Sequence, residues 1–283
     1  MSGAGVVDAH CHILPDRVRA NLDQFCAADA WFGACHAGPG AAVASAEALV
    51  ADMDAAGVDR AVCFTWPFAD PALCAEANDY LAAAVRRFPA RLIGFGCVQP
   101  RDPGAAQEVE RCARIGLRGL GEMNADAQGW ALEDVATATP VVRACVAAGF
   151  PWTLHCSEPV GHAYPGKGTA TPDRVARFAT EFGDLRIVAA HLGGGLPFYA
   201  HMPEVRALCR ANLWFDTAAA PFLYDATAYR TVVDLVGADR LLFGSDNPLL
   251  RAPRYLAQLD ALSLSETDRT ALLGGNAAAL LGT

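Results

Sequence analysis

Val6-Val7-Asp8-Ala9-His10-Cys11-His12, a few residues from the start of the chain, reads as one short apolar strand carrying two imidazoles at i and i+2. Side chains alternate faces along a strand, so His10 and His12 share a face, about 6 to 7 Å apart at their Cα atoms and within reach of one metal ion. Asp8 falls on that face too, but deeper, where a core hydrogen bond is expected of it. Taken alone, such a pair equally suits a structural role. The rest of the chain has to decide.

Seven more apolar runs of strand length follow, at residues 61–66, 92–98, 117–123, 151–157, 186–192, 213–218 and 240–246. Each is almost continuously hydrophobic, as parallel strands covered on both faces are. Ala-rich stretches of helical period lie between them, at 45–56, 72–88, 103–115, 172–182, 203–211 and 225–236, several opened by Pro, Asp or Ser. Four strands are introduced by a similar phrase: Gly57-Val58-Asp59-Arg60, Phe88-Pro89-Ala90-Arg91, Gly183-Asp184-Leu185-Arg186 and Gly237-Ala238-Asp239-Arg240. This reads as a repeated turn from helix end into strand. Eight strands alternating with helices predict an α/β fold, a (β/α)8 TIM barrel, ahead of a doubly wound open sheet. The barrel is expected to take up residues 1–283 as a single domain. Residues 13–44 exceed the usual connection after a strand and are expected to form a lid or an oligomer contact.

The chain has 283 residues, 53% hydrophobic and 19% charged, enough for one large core. A net charge of −9 and the lack of any Lys/Arg cluster argue against nucleic acid as a partner. No apolar run approaches the roughly 20 residues of a membrane span, and no basic-then-apolar leader opens the chain. A cytoplasmic protein without a membrane partner is expected, acting on a small molecule as a homo-oligomer, a dimer by expectation. Ten cysteines are scattered without a C-x-x-C pair and read as small buried hydrophobes. Strand alternation turns Cys11 and Cys156 away from their neighbouring histidines.

In such a barrel, catalytic residues come from the C-terminal strand ends. The first run ends in His10 and His12, the fourth in Glu122, the fifth in His155, the sixth in His191 and the eighth in Asp246. Four of the seven histidines therefore end apolar runs, where chance would scatter them through loops and helices. Any one of these residues could be a hydrogen-bonded structural group. Together they point to a shared metal site.

Asp8-Ala9-His10-Cys11-His12, Leu154-His155, Ala190-His191-Leu192-Gly193-Gly194 and Phe243-Gly244-Ser245-Asp246 occur in an order that resembles the amidohydrolase superfamily. Within it the chain is most similar to the amidohydrolase-2 branch of metal-dependent hydrolases and decarboxylases, over nearly its whole length. The resemblance implies that His10, His12, His155 and Asp246 bind one divalent ion, zinc by expectation, with manganese or another divalent ion as alternatives. It also implies that His191, with Asp246, serves as general acid and base. Three neutral imidazoles and one carboxylate leave the ion net positive, able to lower the pKa of bound water or polarise a carbonyl.

Lys167 is the only lysine, against 21 arginines. Superfamily members with two metals bridged by a carboxylated lysine carry that lysine at the fourth strand end, where this chain has Gly121-Glu122-Met123, so a lysine carbamate there is excluded. Glu122 keeps a second ion open: it can ligate or bridge, or act on a ligand or substrate from behind. One ion is the expectation.

Residues 156–168 form the densest polar loop. Glu158, His162, Tyr164 and Lys167 read as a wall over the metal, with Lys167 or His162 pairing with an anionic substrate group; the plain alternative is a solvated loop with turns at its glycines and prolines. Trp66, Asn247 and Arg251, with Phe222 and Tyr224, fall where substrate contacts or rim packing occur. Phe25, Trp31, Phe32 and His36 belong to the long first loop, and His201 reads as structural. The compact chain, together with Glu122 in the fourth strand, favours hydrolysis of a C–O or C–N bond in a small anionic lactone, ester or amide. The alternative is non-oxidative decarboxylation of a carboxylated enol, phenol or semialdehyde; a non-catalytic metal-binding barrel comes last.

Overall fold

The computed structural model describes residues 5–282. Eight parallel strands are present: β1 (Val7–His12), β2 (Arg60–Phe64), β3 (Leu92–Gly94), β4 (Leu120–Met123), β5 (Trp152–Leu154), β6 (Ile187–Ala189), β7 (Leu213–Asp216) and β8 (Leu241–Leu242). They pair in chain order, as β1-β2-β3 and β4-β5-β6-β7-β8. Two seams close the ring. Gly96 and Leu120 form a parallel bridge beyond β3, and Cys11 and Asn247 form another between β1 and the chain beyond β8. At the second seam Ala9 N donates to Phe243 O at 2.7 Å and Asp246 N to His10 O at 2.8 Å. The fold is the expected TIM barrel, since an open doubly wound sheet would leave two unpaired edges.

The strands are shorter than the apolar runs because the chain leaves the ladder before the runs end. His155 follows the last residue of β5. His191 and Leu192 lie at φ 60° and 54°, and Asp246 lies at φ 64°. A residue with a Cβ pays of order 1 kcal/mol or more in that left-handed region, so these positions are held by what surrounds them. The effect is local: the backbone bends at the barrel mouth and turns a polar side chain inward.

β1 departs from simple alternation. Its register against β2 shifts between Asp8 and Cys11, as at a bulge. Val7 and Ala9 face the barrel interior with Val188 and Leu242, while Asp8 lines a small hollow with Leu49, Asp52 and Met53 of helix Ala46–Ala56. Asp8 therefore does not share the face of the two histidines, a correction that the register shift explains. Its core hydrogen bonds are present: Oδ1 accepts from Ser245 N at 2.9 Å and His10 N at 3.2 Å.

The expected helices form with small shifts at their ends. Ser45 and Asp70 cap Ala46–Ala56 and Pro71–Arg87 by accepting from Ala48 N and Ala72 N. Helix Val135–Ala148 and the C-terminal helices are additions to the sequence reading. The last of them, Asn276–Leu281, plugs the bottom of the barrel. Ala277 and Leu280 pack with Val7, Ala9, Val188 and Leu242, and Leu281 packs with Val62, Phe64, Ile93 and Phe95. The long first connection contains three short helices, Asp16–Ala20, Leu22–Ala28 and Ala30–His36. All ten cysteines are free, and no described helix is long and apolar enough to cross a membrane.

Candidate metal centre

The C-terminal ends of six strands converge on one buried cluster. β1 contributes His10 and His12, whose Nε2 atoms stand 3.2 Å apart. Asp246, just past β8, places Oδ1 3.3 Å from His12 Nε2 and 3.7 Å from His10 Nε2. Glu122 of β4 places Oε2 3.7 Å from His12 Nε2 and 3.8 Å from His10 Nε2. Donor atoms about 2.1 Å from a common centre lie roughly 3 to 3.4 Å apart, so the His10–His12 and His12–Asp246 pairs have the spacing of atoms around one divalent ion, and His10, His12 and Glu122 form a group that could hold one. His10 Nδ1 donates to Asp216 Oδ2 at 2.8 Å, which fixes the tautomer and leaves Nε2 with a lone pair free for such an ion.

The other face of Glu122 carries a second group. Oε1 lies 2.9 Å from His155 Nδ1 and 2.9 Å from His191 Nε2, and those two nitrogens are 3.2 Å apart. His155 Nε2 donates to Gly166 O at 3.0 Å, and His191 Nδ1 donates to Ala218 O at 3.0 Å. Both nitrogens of His191 are thus engaged. The structure brings His10, His12 and Asp246 together as expected, with Glu122 as their immediate fourth neighbour; His155 sits across the Glu122 carboxylate from them.

Charge is concentrated and balanced here. Burial works against a protonated His10, but Asp216, Glu122 and Asp246 outweigh it and push the group up to about 9. Burial likewise opposes protonation of His191, yet the Glu122 hydrogen bond and charge, with Asp246 and Asp216, push it up to about 10. Burial would raise the Asp246 carboxyl, but the His12 hydrogen bond and the charges of His10, His12 and His191 carry it down to about 2. Glu122 is held well below the usual carboxylate range by His155 and His10, against the effect of its burial.

A cavity of about 400 Å³ opens above the cluster. His12, Glu122, His155, His191 and Asp246 lie at its floor; Trp66, His162, Tyr164, Phe222 and Leu249 are among its walls, and Trp31, Cys35 and His36 of the long first connection line it as well. No Lys or Arg lines it. Lys167 instead holds its own loop, with Nζ donating to Val160 O at 2.7 Å and His162 O at 3.0 Å and standing 3.2 Å from Glu158 Oε1. Glu158 also accepts from the Tyr164 hydroxyl at 2.9 Å. Asn247 Nδ2 donates to Asp52 at 3.1 Å, and Arg251 pairs with the same carboxylate. Glu158, Lys167, Asn247 and Arg251 therefore lie off the cavity wall, occupied with other protein groups.

Asp216 and the carbonyls of Gly166 and Ala218 escaped the sequence reading. Asp216 had a signal, a carboxylate ending the seventh apolar run. Backbone carbonyls have none.

The profile of the amidohydrolase family Amidohydro_2 matches residues 7–283. Gamma-resorcylate decarboxylase of Polaromonas sp. (strain JS666) is 28% identical over 249 residues, 71% of this chain and 74% of that protein. The 2-amino-3-carboxymuconate-6-semialdehyde decarboxylase of Dictyostelium discoideum is 26% identical over 239 residues, 72% of this chain and 65% of that protein. A crystal structure of 5-carboxyvanillate decarboxylase from Novosphingobium aromaticivorans DSM 12444, complexed with manganese and 4-hydroxy-3-methoxy-5-nitrobenzoic acid, superposes with a TM-score of 0.82 at 21% identity, over 99% of this chain and 97% of that one. These relatives correct the expectation of C–O or C–N hydrolysis, because all three are decarboxylases. Compactness does not separate the two reactions, since the solved decarboxylase is matched over nearly its full length. The chain is an enzyme of the amidohydrolase superfamily and belongs to its Amidohydro_2 family.

Proposed function

We propose that the protein is a metal-dependent, non-oxidative carboxy-lyase acting on a small carboxylated aromatic or enolic acid. The observation that carries this reading is the placing of a largely buried histidine and carboxylate cluster at the floor of an aromatic-walled cavity without cationic side chains. An acid bound there has one place for its carboxylate, the metal end, while its ring or chain meets Trp66, Trp31 and Phe222. This replaces pairing with Lys167 as the source of affinity for an anion. The names of the relatives support the same reaction class.

His10, His12, Asp246 and Glu122 would hold a divalent ion, which supplies positive charge to the substrate's carboxylate and neighbouring oxygen. Two imidazoles with two carboxylates suit manganese as well as zinc, and the solved decarboxylase carries manganese. Asp246 is the acid–base group in this reading. Its Oδ1 faces the histidines, and its Oδ2 has no protein hydrogen-bond partner among the described residues while the residue lines the cavity. Held ionised, it accepts the proton of a substrate hydroxyl and returns it to the carbon that bears the carboxylate. The C–C bond then breaks, CO₂ leaves, its bonding pair restores the ring or enol, and the oxygen regains a proton from water. Trp31 and His36 exclude water as a lid built from residues 13–44. Ten unpaired cysteines support a reducing cytoplasmic setting.

A panel of monocyclic hydroxy acids and a carboxylated semialdehyde, assayed for CO₂ with metal-replete and chelated enzyme, tests the proposal. Metal-dependent CO₂ release is expected. Metal-loaded enzyme that releases none from any member refutes it.

A further inference from the structure

The carboxylates of the cavity, Glu122 and Asp246, lie at its floor, and the wall contributed by the long first connection carries one hydrogen-bonding group of a different kind. That group is His36. Its Nδ1 lies 3.1 Å from Phe32 O, and a carbonyl oxygen can only accept, so the ring N–H sits on Nδ1 and Nε2 keeps a lone pair. Nε2 has no protein partner among the described residues, and His36 lines the cavity. Burial holds the imidazole below its ordinary value, which leaves it a neutral acceptor at pH 7. The ring is also fixed in place. It lies 4.2 Å from the Phe32 ring with 19° between the planes, and meets the Trp66 ring edge to face at 4.8 Å; Phe32 is itself fully buried. The neighbouring polar groups on this wall cannot take over its task. The indoles of Trp31 and Trp66 can only donate, and the Tyr164 hydroxyl gives its proton to Glu158 at 2.9 Å.

We propose that His36 is a specificity-determining residue, whose Nε2 accepts a hydrogen bond from a second hydroxyl of the substrate, separate from the groups held at the metal end. An acceptor held rigid before binding loses little freedom when it is used, so the bond shows in affinity. A methoxy group in the same place has no proton to give, and a hydrogen there leaves Nε2 without a partner. The substrate class narrows to acids that carry this additional hydroxyl. The inference rests on the reading of the cavity as the binding place of a carboxylated aromatic or enolic acid, and not on which bond then breaks.

The test compares 2-hydroxybenzoate with its 3-, 4- and 5-hydroxy and methoxy derivatives on the metal-loaded full chain. CO₂ release is followed with the acids. Affinity is measured by titration calorimetry with the matching nitrophenols, in which a nitro group stands for the carboxylate and no C–C bond can break. At one ring position the hydroxyl should tighten binding about tenfold over the unsubstituted parent, and the methoxy group at that position should not. His36→Phe keeps an aromatic ring against Phe32 but has no acceptor, and the ratio of the two affinities should fall to near unity. His36→Gln places a carbonyl oxygen close to where Nε2 stood and should restore part of the ratio, which a merely structural role for His36 would not produce. Equal affinity for parent and hydroxylated compounds at every position overturns the proposal, as does a preference that methoxy shares or that His36→Phe retains. A preference that depends on His36, with no CO₂ released from any acid, upholds this inference and refutes the carboxy-lyase reading; CO₂ release with no hydroxyl preference does the reverse. The ranking of hydroxyl, methoxy and hydrogen by the unaltered chain is decisive even if a variant does not fold.

Discussion

Asp216 organises the centre from behind its donors. One oxygen accepts from His10 Nδ1, and the other accepts from the backbone N–H groups of His191 and Ala218, so a single carboxylate sets one ligand's tautomer and the next strand end's turn. Partners of this kind are worth about 10- to 100-fold in metal affinity. Asp216→Asn should lose that much in a chelator competition, and an unchanged dissociation constant would show that His10 does not need it. The sequence carried the candidate donors because each ended an apolar run. It could not pair Asp216 with His10, since the two lie 206 positions apart and meet only when the ring closes. Protonation gives a second prediction at this scale. Metal-free His10 and His191 hold protons up to about 9 and 10, above their ordinary value of 6.5. Their stabilisation of the metal-free fold is therefore complete below 6.5 and is lost as pH rises through 9 and 10, so the metal-free protein should melt lower at pH 10 than at pH 7. Loading a divalent ion at pH 7 should release about one proton, from His10, seen calorimetrically in buffers of different ionisation enthalpy. A heat independent of buffer would contradict this.

Two connections do the work that strands cannot. The loop over residues 156–168 delivers the Gly166 carbonyl to His155, and Lys167 ties that loop by its contacts to Val160, His162 and Glu158. Lys167→Ala should lower metal retention on dialysis while leaving KM for an anionic substrate nearly unchanged; a selective rise in KM would return Lys167 to substrate binding. In the long first connection, helix Ala30–His36 supplies Trp31 and His36 to the cavity wall. Trp31→Ala removes apolar wall and should raise KM about tenfold with metal content intact. Loss of metal instead would place Trp31 in support of the centre. Helices were legible where Ser45, Asp70 or a proline marks their starts. Val135–Ala148 was not, because Pro140 and the threonines around it interrupt the pattern. Strand ends were overread because the apolar pattern runs on through the left-handed turns at His191 and Asp246.

At the scale of the whole molecule, the barrel is closed below by its C-terminal helix and opened above into the cavity. Leu280 fills the interior beneath β1, β6 and β8. Leu280→Ala should cost about 2 to 5 kcal/mol in urea unfolding, with little effect on metal binding at the opposite end. Ring closure was readable from eight similar runs, whereas the plug was not, since a short Ala/Leu helix carries no mark of where it docks. The reaction was least legible of all. A set of histidines and carboxylates suits several chemistries, and what narrows it is the cavity, whose walls come from six separate segments. Turnover of a monocyclic hydroxy acid in D₂O by metal-loaded enzyme, read by mass spectrometry and NMR of the product, tests the proposed reaction most directly. One deuterium at the carbon that lost CO₂, dependent on metal and abolished in Asp246→Asn, is expected. A product that retains its carboxylate, or CO₂ release undiminished by chelation, would contradict it.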